Sequence, residues 1–258
     1  MNKRPSNELS KKLKDPMVDF LEFFLHLHKL NYFLINSITR YEHLHEKMIE
    51  AKKLISRMTE KPEHQVDPKM EKQGNEIKEA IRKEINDGYY TLKSSEIILI
   101  YSRLEAAITE TVHLLFHDYE YKDLKEIENI KVNALNFMKL SKREQINYLS
   151  EQYIVCNTQS IKYGFNRFEA ILKPLIGPSK LIKNHQDVLF KFAQVRNLLI
   201  HKNGIIDNNF KTVFKSNKYK VNSKIKIDQL MLNNFYDCTL AYSEDILDRL
   251  TIKMASGT

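Results

Sequence analysis

The segment VRNLLIHKNG, residues 195–204, carries an arginine, an asparagine and a histidine inside an otherwise aliphatic stretch. Histidine titrates near neutral pH and can move a proton in either direction. The guanidinium of arginine stays charged and its fork matches a phosphate, while asparagine can orient an imidazole or a phosphate oxygen. Arg196, Asn197 and His201 therefore suit the attack of a ribose hydroxyl on its own phosphodiester, a reaction that requires no metal.

The helix predicted to carry these residues separates the arginine from the histidine. At about 100° per residue, Asn197 and His201 share one face, and Arg196 lies about 140° away from His201. The apolar stripe on the opposite side of this helix consists of Val188, Phe192, Val195 and Leu199. A single copy of the chain thus places the arginine and the histidine on different sides of the helix. This separation favours a composite site where two copies meet across a twofold axis.

Two apolar residues on the polar face predict that something covers it. Phe190 and Ala193 lie on that face, where purely solvated positions would not need them. A self-complementary helix contact between two copies would cover them and bring both sets of polar residues to one cleft. A structural interpretation stays open, because an arginine and a histidine in the last turn of a helix complement its macrodipole without any catalytic role.

A basic segment follows this helix. Residues 205–228 alternate β-branched residues with lysine over short stretches, which predicts a short β-hairpin or an irregular basic loop. Asp207 is the only acid between residues 202 and 226. The lysines that we expect to bind an RNA backbone are Lys211, Lys215, Lys218 and Lys220.

Scarce helix breakers and long stretches of helical periodicity predict an all-α protein. Gly and Pro occur 6 times each in 258 residues, and apolar residues recur at helical spacing through most of the chain. We expect a helical N-terminal extension over residues 1–60, a linker over 61–76, a helical domain over 77–252 and a disordered tail over 253–258. The most hydrophobic helix, near residues 94–119, should be central to the domain.

Charge and composition limit the classes of partner and cofactor that we expect. The formal net charge of +8 favours a polyanion, so nucleic acid is the expected partner. Cys156 and Cys238 are isolated, and the His-x-His pairs at 26–28 and 43–45 lack the spacing of helical zinc ligands, so no metal is expected. The sequence shows no nucleotide-cofactor motif, apolar signal core or membrane-spanning run. We therefore expect no cofactor, no membrane contact and a cytoplasmic protein.

The stretch VRNLLIHKNGIID, preceded by FKFAQ and much earlier by YSRLEAAITETV, resembles the HEPN superfamily over roughly residues 77–250. The mark of that superfamily is an arginine, a polar residue after it, and a histidine four to six positions further on. Arg196, Asn197 and His201 match it with the shortest spacing. Asn203 and Gly204, the basic segment and a final helix also resemble one branch of the superfamily.

The resemblance implies a helical bundle that forms a homodimer and cleaves RNA without metal, leaving 2′,3′-cyclic phosphate and 5′-hydroxyl ends. In such an enzyme His201 acts as general base or acid, Arg196 stabilises the phosphorane charge, and Asn197 positions one of them. Members of the superfamily are often toxins or anti-phage effectors, which implies an antitoxin or regulatory partner. The resemblance also points to supporting roles for Glu105, Arg103, Lys202 and Asn203, although Glu105 could equally form a structural salt bridge.

Two other interpretations of the sequence remain open. The chain could be a non-catalytic helical adaptor that binds nucleic acid through the basic segment or a protein through the N-terminal helices. A nucleotide-responsive sensor domain is a third and weaker hypothesis.

Overall fold

A computed structural model describes residues 12–59, 68–118, 130, 132–159, 161, 164–214 and 219–256 of the chain. Every extended regular element among these residues is a helix, which confirms the predicted all-α class. The helices are α1 (Asp15–Thr59), α2 (Pro68–Asn86), α3 (Tyr90–Asp118), α4 (Ala134–Phe137), α5 (Lys142–Thr158), α6 (Phe165–Ile176), α7 (Lys183–Lys202), α8 (Asn208–Phe214) and α9 (Gln229–Ser256).

The chain forms two compact units. The first comprises Met1–Phe24, Ile97–Ile225 and Gln229–Thr258, and the second comprises Leu25–Glu96 and Lys226–Asp228. The junctions at residues 24 and 96 lie inside helices α1 and α3, away from the predicted linker. Of that linker, residues 61–67 lie outside the described part and residues 68–76 belong to α2, because proline is well tolerated in the first turn of a helix.

The first unit is a helical bundle with α3 in its core. Leu104, Ile108 and Val112 of α3 are fully buried. Within this unit α5 packs against α6, α6 against α7, and α9 against both α6 and α7. Aromatic contacts attach α3 to its neighbours: Tyr101 lies 5.6 Å from both Phe168 of α6 and Phe192 of α7, measured between ring centroids.

A buried charge network joins distant parts of the first unit. Arg249 of α9 is 4% exposed, and its Nη2 and Nη1 donate to the two carboxylate oxygens of Glu169 in α6, at 2.8 and 3.2 Å. Nη1 also donates to the carbonyl of Gly177 at 2.8 Å, and the Tyr242 hydroxyl donates to Glu169 at 2.8 Å. Such bidentate pairing compensates the cost of burying both charges.

The second unit contains most of α1, all of α2 and the start of α3. The Thr39 and Tyr89 hydroxyls are 2.6 Å apart, and the amide of Leu92 donates to Glu84 at 3.0 Å. Glu96 is 2% exposed. Burial raises the pKa of Glu96 to about 7, against the smaller opposing effects of a hydrogen bond with Asn31 and the charge of Lys93.

The segment after α7 differs from the predicted β-hairpin. Its described residues form helix α8 and a single antiparallel bridge between Ile205 and Lys224. Phe210 and Phe214 are four residues apart, which is helical spacing, and Asp207 starts the helix by accepting from the amide of Phe210 at 2.8 Å.

The predicted disordered tail is also partly helical. Helix α9 continues through Ser256 because Lys253, Met254 and Ala255 are good helix formers, and residues 257–258 lie outside the described part.

Candidate active site

The helix that carries the motif, α7, ends directly after His201. Phe192 and Val195 are fully buried, Leu199 is 7% exposed, and His201 is exposed in the last turn. Asn203 and Gly204 follow with positive φ angles of 50° and 77°. Both of their amides donate to the carbonyl of Leu198, which is 3.0 Å from the Gly204 nitrogen. Asparagine and glycine tolerate this left-handed turn, so the backbone of Asn203 caps the helix.

Arg196 extends toward the polar face of α7. Its Nη1 donates to the Oδ1 of Asn197 at 3.1 Å, and its Cζ lies 5.4 Å from the centre of the Tyr101 ring. The Nε of Arg196 is buried and has no hydrogen-bond partner among the described residues. The guanidinium is thus held by an aromatic ring and one amide oxygen, one helical turn before His201.

The surroundings of Tyr101 shift the pKa of its hydroxyl. Burial raises its pKa to about 12, and the negative charge of Glu105 adds to the increase. A backbone hydrogen bond with Gly164 and the charges of Arg167 and Arg196 oppose it. Tyr101 therefore remains protonated and neutral at physiological pH. Tyr101 lies within the hydrophobic helix that the sequence predicts near residues 94–119, and that prediction did not indicate a contact with Arg196.

Glu105 and Arg103 have different surroundings. The Glu105 carboxylate lies 3.5 Å from Nη1 of Arg167 in α6, and both side chains are partly exposed. Glu105 therefore belongs to the neighbourhood of Tyr101 and forms the salt bridge that the sequence left as an alternative. Arg103 lies with its Cζ 5.0 Å from the ring centre of Phe23 in α1. Sequence reasoning missed Arg167, because it follows a glycine break and matches no motif.

The part of the polar face of α7 around Phe190 and Ala193 is covered from within the chain. A Cβ atom on Gly164 would lie 3.0 Å from the Cα of Phe190 and 3.5 Å from the Cβ of Ala193, so the backbone there is in direct contact with α7. The Phe190 ring also lies 6.5 Å from the ring of Phe214 in α8. Phe190 and Ala193 therefore need no second copy to cover them, which removes one argument for a dimer.

The basic segment is anchored on the first half of α7. Besides Phe214 on Phe190, the Nζ of Lys191 lies 5.8 Å from the ring centre of Tyr219. Phe190 is eleven residues before His201, or about 16 Å along the helix axis.

The predicted RNA-binding lysines are only partly described. Lys211 and Lys220 are exposed, as is Lys202 at the end of α7. Lys215 and Lys218 lie outside the described residues. Lys202 thus lies directly after His201 in the last turn of the motif helix, whereas Lys211 and Lys220 belong to the segment that is anchored on its first half.

The described residues bear on two other kinds of site, a metal centre and a membrane span. They contain no group of three or more His, Cys, Asp or Glu side chains that could hold a metal ion. In the same part of the chain, no helix is long and apolar enough to cross a membrane.

The chemistry available at this site is anion binding and proton transfer. Arg196 offers a fixed positive charge beside Asn197, and His201 offers a solvent-accessible imidazole on the same helix. Comparison with known proteins found no matching protein-family model, no matching curated protein and no matching solved structure.

Proposed function

We propose that the chain is a metal-independent endoribonuclease of the HEPN type, acting as a homodimer in a toxin or anti-phage defence system. The observation that carries the proposal is the pairing of Arg196 with Asn197 at the partly exposed edge of α7, one turn before the exposed His201. These are the three residues of the motif, and the pairing extends the arginine toward the face that His201 shares.

In the proposed reaction, the 2′-hydroxyl of a ribose attacks the adjacent phosphorus and the bond to the 5′-oxygen breaks. His201 takes the proton of the 2′-hydroxyl or gives one to the leaving 5′-oxygen. Arg196 stabilises the negative charge that develops on the phosphorane, and Asn197 orients the guanidinium through its Oδ1. A second copy of His201 across a twofold axis would supply the other proton transfer.

The decisive variants are His201→Ala and Arg196→Ala, assayed for RNA cleavage in EDTA. We expect each to lower the cleavage rate by about a hundredfold or more, since each removes a group that acts in the transition state. His185→Ala is the matched control, because it removes a histidine from the first turn of the same helix. Equal cleavage by wild type and by both motif variants would exclude the proposed reaction.

The ends of the RNA products test the chemistry itself. Induced wild type should leave 2′,3′-cyclic phosphate and 5′-hydroxyl ends in cellular RNA, and His201→Ala should leave none. Products with 5′-phosphate ends would point to a different nuclease mechanism.

One observation favours a second candidate function, a binding adaptor. In the second unit, α1 exposes large apolar side chains that a solvated helix does not need: Leu25, Tyr32, Phe33, Leu54 and Met58. They suit a protein partner, which could also be the antitoxin or regulator of an active enzyme. An adaptor without catalysis should bind RNA or protein equally well after His201→Ala.

A further inference from the structure

We propose that Tyr101 is a positioning residue, which holds the Arg196 guanidinium in the orientation that phosphodiester cleavage requires. The inference rests on the proposed function and adds a residue that the motif does not contain. It follows from the contact between α3 and α7, two helices that are far apart in the sequence.

The guanidinium needs an external contact to stay where it is. Its Nε is buried without a hydrogen-bond partner among the described residues, and a buried unpaired donor on a charged group is costly. Asn197 compensates only Nη1. The remaining compensation comes from the Tyr101 ring, 5.4 Å from the Cζ of Arg196, because the face of an aromatic ring attracts a cation.

Tyr101 is itself fixed, so it can impose an orientation. Its side chain is 5% exposed, and its ring lies 5.6 Å from the rings of both Phe168 and Phe192. A ring in contact with two buried aromatic rings cannot change rotamer without disturbing the core, so the guanidinium meets a rigid surface.

The neighbouring charges leave Arg196 available to a substrate. Glu105 would compete with a phosphate for Arg196, but it is engaged by Arg167 at 3.5 Å. Arg196 is therefore held by a neutral ring and a neutral amide, and its positive charge is not cancelled by a carboxylate in the described contacts. A guanidinium held in this way keeps its full attraction for a developing phosphorane.

The test compares three variants of the full chain. Tyr101→Phe keeps the ring and removes the hydroxyl, whereas Tyr101→Leu removes the ring. Phe116→Leu is the matched control, since it removes a buried ring that belongs to the same helix and packs on Tyr153. We expect kcat to fall about tenfold in Tyr101→Leu, in line with a cation–π contact of ordinary strength, and to change by less than about twofold in the other two variants.

A second measurement does not depend on RNA cleavage. The exchange of the Arg196 Nε proton with water is followed by NMR, with the signal assigned from Arg196→Lys. Wild type, Tyr101→Phe and Phe116→Leu should show slow exchange, and Tyr101→Leu should show fast exchange, because the released guanidinium becomes hydrated.

The two readouts separate the outcomes. Slow exchange in Tyr101→Leu, or an equal loss of kcat in Phe116→Leu, would overturn the positioning role. If wild type cleaves no RNA, the proposed function fails, while proton exchange still decides whether Tyr101 holds Arg196.

Discussion

Arg196 and Asn197 show how neighbouring residues on a helix can act together although their backbone positions point in different directions. Their Cα atoms differ by about 100° around α7. The long arginine side chain bridges that difference and donates to Asn197 at 3.1 Å. The guanidinium of Arg196 thus reaches the side chain of Asn197 within one copy of the chain. The case for a twofold site therefore depends on the need for a second proton-transfer group.

Glu96 provides a prediction at the same scale. Its pKa rises from an ordinary value of 4.5 to about 7 on folding, mainly through burial. Since the folded state binds the proton more tightly than the unfolded state, the stabilisation from Glu96 is complete below about pH 4.5 and is lost as pH rises through about 7. Over that range the free energy of unfolding should fall by about 1 kcal/mol per pH unit.

The measurement is urea unfolding of the wild type and of Glu96→Gln between pH 5 and pH 8. The glutamine variant has the same size and does not titrate, so it should lose the part of the pH dependence that comes from this residue. An unchanged pH profile in Glu96→Gln would mean that Glu96 does not titrate in this range.

At the scale of elements, the contact of Gly164 with α7 decides how closely the start of α6 approaches the motif helix. A side chain on Gly164 would meet the Phe190 backbone at 3.0 Å, and Gly164 has a φ of +73°. Its backbone also forms a hydrogen bond with the Tyr101 hydroxyl. The backbone at Gly164, directly before α6, therefore contacts both α3 and α7.

Gly164→Ala and Gly177→Ala separate two effects. Both glycines have a positive φ, but a Cβ on Gly177, with a φ of +84°, would meet nothing within 4 Å. We expect Gly177→Ala to lower the free energy of unfolding by about 1 kcal/mol or more through backbone strain alone. Gly164→Ala should cost about 2 kcal/mol beyond that, because α7 must shift.

Thermal or urea unfolding of both alanine variants checks this prediction. Equal losses of stability in the two proteins would show that the contact with Phe190 is not tight in solution.

At the scale of the whole molecule, the network around Arg249 joins segments that lie far apart in the sequence. Arg249 of α9 binds Glu169 of α6 and the carbonyl of Gly177. It also forms an ion pair with Asp245 at 3.0 Å. These contacts thus join the last helix, α9, to α6, the helix that precedes the motif helix α7.

Arg249→Met should lower the free energy of unfolding by about 3 kcal/mol or more, because it leaves the buried Glu169 carboxylate without its partner. Adding Glu169→Leu should recover part of that loss, since the buried Glu169 carboxylate is then gone and Asp245, the other ion-pair partner, still accepts from the amide of Lys180. Urea unfolding of the single and double variants measures both effects. A double variant less stable than Arg249→Met would contradict this account.

Much of the candidate site could be predicted from the sequence, because its residues are local. Arg196, Asn197 and His201 lie within two turns of one helix, and the all-α class follows from apolar spacing and scarce helix breakers. The predicted hairpin was wrong because lysine alternation hid the helical spacing of Phe210 and Phe214. Compact units depend on which helices touch, so the composition of residues 61–76 did not indicate their boundaries.

By itself, the sequence determined the all-α class, the stop at Asn203 and Gly204, and which residues of α7 share a face, since these properties follow from backbone geometry and local propensity. Tertiary structure alone decided that Tyr101 lies under Arg196, that Arg167 engages Glu105, and that Gly164 packs on Phe190 and Ala193 of α7. These contacts join residues from separate helices, and only the packing of the core brings such residues together.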